Sequence, residues 1–279
     1  MRLTRRGRLS ITVGVLALVV GLTTYVLTRT PAGRALGIET GPPCALTTAS
    51  ATVEWSSAEA STATTVAAVG TGIGATVNGV AAAVARSLRA GPQTPVGRDA
   101  ARAVYRELPD VADPGREAVQ VAEALLGYSG PALTCAVPLT DGLSGLPRED
   151  PGGLGLTPRA DVLRLEMRSV FGKQILGGFE PRGVDSGHID GSAHYEGRAI
   201  DVFFRPVTAE NQRLGWQQAL WAVAHAERLH LATVIFDRRV WSSARSLQGW
   251  RDYEYPGGQT DNPVLMHEDH VHVDVHEGG

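Results

Sequence analysis

In the closing run His267–His276, HEDHVHVDVH, the side chains of His270, His272, Asp274 and His276 alternate with Val271, Val273 and Val275. Successive side chains of an extended strand point to opposite faces, so the valines share one face and the imidazoles and carboxylate share the other. Imidazole nitrogens and a carboxylate on one face are a donor set for a divalent metal. A solvated, histidine-rich strand near a chain end would show the same alternation. A second run, GSAHYEGRAID from Gly191 to Asp201, could supply the other half of one site. Ala199–Phe204 reads as a strand with Asp201 on the face of Ala199 and Phe203, entered through a turn at Tyr195, Glu196 and Gly197. His194 can then fold back towards Asp201. A buried carboxylate needs a partner, because an unpaired one costs several kcal/mol. A divalent cation is one such partner; Arg198 or Arg205 is the alternative.

Ser192, His194, Gly197, Ala199 and Asp201 fill every fixed place of the pattern SxHxxGxAxD. This resembles the signature of the D-Ala-D-Ala carboxypeptidase and endopeptidase-type zinc peptidases, and DHVH at Asp269–His272 resembles their closing motif. The wider group includes lysostaphin-like enzymes, penicillin-insensitive murein endopeptidases and the hedgehog signalling domain. The resemblance spans roughly Leu156 to the C-terminus. It implies His194, Asp201 and His272 as Zn2+ ligands and a catalytic base at Asp269 or His270. It also implies an arginine ahead of the first motif that grips the substrate; Arg182 is the candidate, although GGFEPRG departs from the usual spacing.

Two histidines and one aspartate leave a coordination position open, the layout of a catalytic rather than a structural zinc. Proton transfer would fall to Asp269 or His270, and Arg182, His188 or His267 would steady the oxyanion. Ser192 has no base placed for it and is expected to hydrogen-bond beside the ligands. The implied activity is hydrolysis of peptide bonds in peptidoglycan stem peptides or cross-bridges. The alternative is a cell-wall binding module that keeps a structural metal without turnover, as hedgehog domains show.

The elements that must position these residues follow from the rest of the chain. Its 279 residues are 43% hydrophobic and 20% charged, with a net charge of -3 that points away from a nucleic-acid partner. Lys173 is the sole lysine. Residues 1–8 read as a basic cytoplasmic tail and 9–28 as an uncharged transmembrane signal anchor, with a cleaved signal peptide as the competing reading. Residues 29–43 are a linker, and everything beyond is expected outside the cell membrane. Cys44 and Cys135 are the only cysteines and, in an oxidising compartment, are expected to form a disulfide closing a helical domain at 44–135. Within it, the glycines at 70, 72, 74 and 79 predict two helices over Ala58–Leu88, broken or closely packed there. Two more are expected, at Asp99–Leu108 and after Asp113 as N-cap, stopping at Gly127. The segment ending LLGYSGPALTC resembles the end of a lysozyme-like helical module of actinobacterial envelope proteins, without its carboxylate-bearing centre. Residues 136–157 read as a linker and 158–279 as the zinc peptidase-like domain. There, helices are expected at Pro158–Phe171 and Ala209–Leu229, strands at Gln174–Phe179 and Ala232–Phe236, and a long aromatic loop over Asp237–Pro263. The expected fold is α+β: an antiparallel sheet with the ligands on one face and helices on the other, preceded by the transmembrane helix and the small helical domain.

Overall fold

The computed structural model of the chain describes residues 43–91, 97–108, 113–137 and 145–279. Its first half opens with a three-stranded antiparallel sheet of β1 (Cys44–Thr47), β2 (Thr52–Trp55) and β3 (Leu133–Cys135), with β1 in the middle. Cys44 lies directly opposite Cys135 in this register, and the two form the expected disulfide. At a sequence separation of 91, the cross-link removes on the order of 4 kcal/mol of chain entropy from the unfolded state. Helices α1 (Ser57–Gly72), α2 (Val77–Arg89), α3 (Arg98–Arg106) and α4 (Arg116–Leu125) lie between β2 and β3. Ser56 and Glu59 form a reciprocal capping box on α1. The break before α2 comes at Gly74, whose φ of 74° suits glycine. Asp113 is not the N-cap of α4: Gly115 occupies that place, and Asp113 Oδ1 instead accepts from the Gly115 N–H just upstream.

The second half contains α5 (Pro158–Phe171), β4 (Leu176–Gly177), β5 (Ala199–Phe203), α6 (Ala209–Ala224), β6 (Leu231–Phe236), β7 (Arg239–Ser242), β8 (Arg251–Asp252) and β9 (His270–Val275). The strands form one antiparallel sheet in the order β4-β5-β9-β6-β7-β8. Ile200, Val202, Val234, Val271, Val273 and Val275 are all fully buried on its apolar side, where α5 and α6 pack. Each such side chain contributes roughly 1.5–3 kcal/mol of transfer free energy. The expected long loop over Asp237–Pro263 is partly structured: β7 and β8 extend the sheet, and a 3-10 helix (Ser243–Gln248) lies between them. Trp241 is wholly buried, and the Trp250 indole N–H donates to the Leu133 carbonyl at 2.9 Å. Both tryptophans therefore pin this segment to the core.

Two parts of the expected architecture are corrected. The antiparallel sheet with flanking helices stands, but not the single N-terminal transmembrane helix. No helix among the described residues is long and apolar enough to cross a membrane, and the proposed span at 9–28 lies outside the described residues. The 16 residues of α1 or α6 reach roughly 24 Å, short of a bilayer core of about 30 Å. Nor does the helical part stand as a separate small domain, since Pro42–Gly279 forms one compact unit with a shared core. The reason lies in buried polar stitches between α1 and α6. Thr65 Oγ1 accepts from the Trp221 indole at 3.1 Å, and the Ser61 hydroxyl donates to the Ala224 carbonyl at 2.8 Å.

Candidate metal centre

The site is built on the two central strands of the large sheet. In the β5–β9 register, Asp201 pairs with His272, Phe203 with His270, and Ala199 with Asp274. The face opposite the valines thus carries His270, His272 and Asp274 in one row, with Asp201 beside the middle member. His194 arrives from the loop before β5. Gly197 N–H closes that turn on the His194 carbonyl, and Arg198 N–H bonds to the Ala193 carbonyl. Gly197 has a φ of 66°, and a Cβ there would collide with the Gly155 carbonyl. The fixed glycine of the motif therefore serves both the turn and a close backbone approach. Ser192 Oγ accepts a long bond of 3.4 Å from the His194 backbone N–H, a local structural role.

His194, Asp201 and His272 form a buried group able to bind a metal. Both His194 Nε2 and His272 Nδ1 lie 3.3 Å from Asp201 Oδ1, and the two nitrogens are 3.0 Å apart. Tetrahedral zinc with ligand bonds of about 2.0–2.1 Å places its ligand atoms roughly 3.3 Å from one another, so the triangle is the right size. The remaining ring nitrogens are also accounted for. His194 Nδ1 donates to the Gly178 carbonyl at 2.8 Å, and His272 Nε2 donates to Asp274 Oδ2 at 3.1 Å. These bonds fix the tautomers so that both free nitrogens converge on the Asp201 carboxylate, the outer support that metal-binding histidines ordinarily have.

The members of the group also set one another's charge. Burial opposes ionisation of Asp201, but hydrogen bonds from His194 and His272 hold its carboxyl well below the usual range. Burial likewise opposes charge on His272, while hydrogen bonds to Asp201 and Asp274 push it upward. His267 is driven down to about 2, first by burial and then by His272 and His270. Among the arginines weighed as partners for Asp201, Arg198 bonds instead to Glu196 and the Val275 carbonyl, and Arg205 to Asp269.

Asp269 and His270, the two candidate bases, occupy different places in one chain of contacts. His270 Nδ1 donates to Asp269 Oδ1 at 2.7 Å, which leaves Nε2 directed into the site, 3.8 Å from Asp201 Oδ1. Asp269 Oδ2 accepts from Arg205 Nε. His270 therefore faces the centre, and Asp269 stands behind it.

These groups open into a cleft of about 720 Å³ whose walls include His188, Ile189, Tyr253, Tyr255, Leu265 and His267. The His188 ring stacks on His194 at 3.9 Å, and His267 lies 4.7 Å from His270. Arg182 is not brought here. It sits on an exposed turn with a φ of 84°, and Arg205 is the arginine that lines the cleft. Asp274, which the alternation places on the ligand-like face, is not a member of the metal-binding group and instead stands behind His272 as the acceptor of its Nε2.

A family model described as VldE, C-terminal domain, matches residues 152–264. That is less than half of the chain; it includes His194 and Asp201 and stops before His267–His276. No match is found among curated proteins or among solved structures.

Proposed function

We propose that this chain is a zinc-dependent peptidase that hydrolyses peptide bonds in peptidoglycan stem peptides or cross-bridges. The observation that carries the reading is the convergence of two tautomer-fixed histidines on Asp201, with His270 Nε2 facing the same point. Zinc is favoured by a donor set of two imidazoles and one carboxylate. When bound, it would act as a Lewis acid on a peptide carbonyl and lower the pKa of water towards about 7. The residues of the chain supply the rest. His270 accepts a proton from the attacking water at Nε2 and delivers it to the nitrogen of the leaving amine. Asp269 holds the His270 ring and compensates its transient charge. His188 and His267 flank the centre as candidate donors to the oxyanion.

The substrate class rests on the motif resemblance and on the disulfide, which suits a protein that works in an oxidising compartment outside the cytoplasm. Three protein ligands rather than four argue against a purely structural metal. The test is to incubate the zinc-loaded protein with purified peptidoglycan and measure newly released amino groups. Release is expected from the wild type and not from His194→Ala. No release by the zinc-loaded wild type would remove this reading.

A further inference from the structure

We propose that the groove where α1 meets the paired strands β4 and β5 is a sugar-binding subsite beside the metal cleft, so that the helical half of the chain selects peptides still joined to an N-acetylated glycan. The proposal rests on the peptidase reading above and gives the helical half its part in it.

The groove holds about 290 Å³ and has Phe203 in common with the metal cleft, so a single residue separates the two. Gly177 on β4 makes room for the Phe203 ring, since a Cβ there would lie 2.7 Å from it. Thr71 and Gly72 of α1 contribute to one wall, and Phe171, Phe203 and Phe204 give the groove an apolar lining. A largely apolar lining with a few fixed polar groups is the usual make-up of a small-ligand site. The segment that resembles a lysozyme-like module, ending at Cys135, contributes no residue to it.

The polar groups decide what the groove can take. Gln217 on α6 is only 2% exposed, and its Nε2 donates to Thr71 Oγ1 at 2.9 Å, a bond that joins the sheet half to the helical half. Gln174 is half-buried, and its Nε2 donates to Gln218 Oε1, also at 2.9 Å. Each amide is thus held with its nitrogen committed, and neither Gln217 Oε1 nor Gln174 Oε1 accepts a hydrogen bond among the described residues. The groove offers two oriented carbonyl acceptors, no carboxylate and one cation, the exposed Lys173. A cationic ligand would find no counter-charge there. A peptide segment brings as many carbonyls as N–H groups, and its carbonyls would meet no fixed amide donor. A sugar hydroxyl or acetamido N–H donates to either glutamine oxygen, hydroxyl lone pairs can remain turned to water, and the C–H face of the ring packs on the phenylalanines.

The experiment uses the full chain and three probes: a peptide-free oligosaccharide of β-1,4-linked N-acetylglucosamine, a stem peptide carrying its sugar, and the same peptide without it. Oligosaccharide binding is followed by NMR titration with and without zinc, and hydrolysis of the two peptides by the zinc-loaded protein. Wild type is expected to bind the oligosaccharide in both metal states. It should cleave the sugar-bearing peptide with a KM roughly ten-fold below that of the bare peptide at a similar kcat, the size of one or two neutral hydrogen bonds. Gln217→Leu and Gln174→Leu should each weaken oligosaccharide binding by roughly ten-fold and bring the two KM values together; the half-buried Gln174 keeps the test open if Gln217→Leu does not fold. No oligosaccharide binding together with equal KM values in the wild type overturns the sugar site while leaving the peptidase reading in place. So does a rise in KM for both peptides alike in the variants, which would mean that the groove holds peptide. Oligosaccharide binding that depends on Gln217 and Gln174 but comes without hydrolysis upholds the sugar site and removes the peptidase reading. Neither binding nor hydrolysis removes both.

Discussion

Asp201 and His272 are direct cross-strand partners on β5 and β9, the second and third strands of the six-stranded sheet. The site is therefore a consequence of strand register. A slip of one residue would turn His272 into the core and bring a valine to the site. The same register that buries Val271, Val273 and Val275 under the helices sets Asp201 beside His272, so the free energy of forming the core also fixes the candidate metal site. His194 is the one member of the candidate metal-binding group outside the sheet, and its position depends on the Gly178 carbonyl and the turn at Gly197.

Metal content is the first expected outcome. The purified protein should hold close to one zinc per chain by elemental analysis, and His194→Ala, Asp201→Ala or His272→Ala should hold almost none. Asp274→Asn keeps all three ligands but weakens the acceptor that orients His272. Its zinc affinity should fall by roughly 10–100-fold in a chelator competition. An unchanged affinity in Asp274→Asn would mean that the Asp274 bond does not support the metal.

Gly178→Ala tests the backbone behind His194. Gly178 has a φ of 75°, and a Cβ there would overlap the His194 ring and lie 3.1 Å from Asp201 Oδ2. The variant should fold, as judged by far-ultraviolet circular dichroism, and lose zinc although no ligand has been changed. Retention of wild-type zinc would show that the loop before β5 can move aside.

Much of the site was legible because a strand writes its faces into the sequence with period two. Asp201 and the alternation from His270 onward could be assigned to one face without knowing the fold. What could not be read were relationships between elements. Arg182 and Arg205 are both arginines near a motif, and only the end of β5 shows which of them reaches the cleft. Asp269 and His270 are adjacent in sequence, and their separation into orienting and facing roles appears only with the 2.7 Å bond between them. The strands β7 and β8 were hidden by their shortness and by tryptophans that pack against Leu133 and the core rather than alternating. The joining of the helical half to the sheet half depends on Thr65, Trp221 and His225, polar or aromatic residues far apart in sequence whose pairing has no local signature.

Substitutions at the base should separate catalysis from binding. His270→Gln should retain zinc and lose roughly 10²–10⁴-fold in turnover, the usual range for a general acid-base group. Asp269→Asn should lose less, because the ring of His270 stays in place while its transient charge is no longer compensated. Full activity in His270→Gln with a collapse in Asp269→Asn would reverse the two roles.

His225 predicts how stability changes with acidity. Its ring is buried and stacks on Trp221 at 4.2 Å, with Nδ1 donating to the Trp221 carbonyl at 2.8 Å. Nε2 faces the Thr65 hydroxyl at 3.4 Å, so the neutral ring is fully bonded and has no acidic partner there to hold a second proton. Burial lowers its pKa from 6.5 to about 3. Between those values the unfolded chain takes up a proton that the folded chain refuses, so stability falls as pH drops and the loss is absent above about pH 6.5. The slope from this one residue approaches about 1.4 kcal/mol per pH unit. Urea unfolding of the wild type and of His225→Gln from about pH 7 to about pH 5 isolates it, since carboxylates and the other histidines are common to both. The expected result is a variant that is less stable at neutral pH and has a shallower pH dependence. Parallel curves would show that the folded protein tolerates a charged His225.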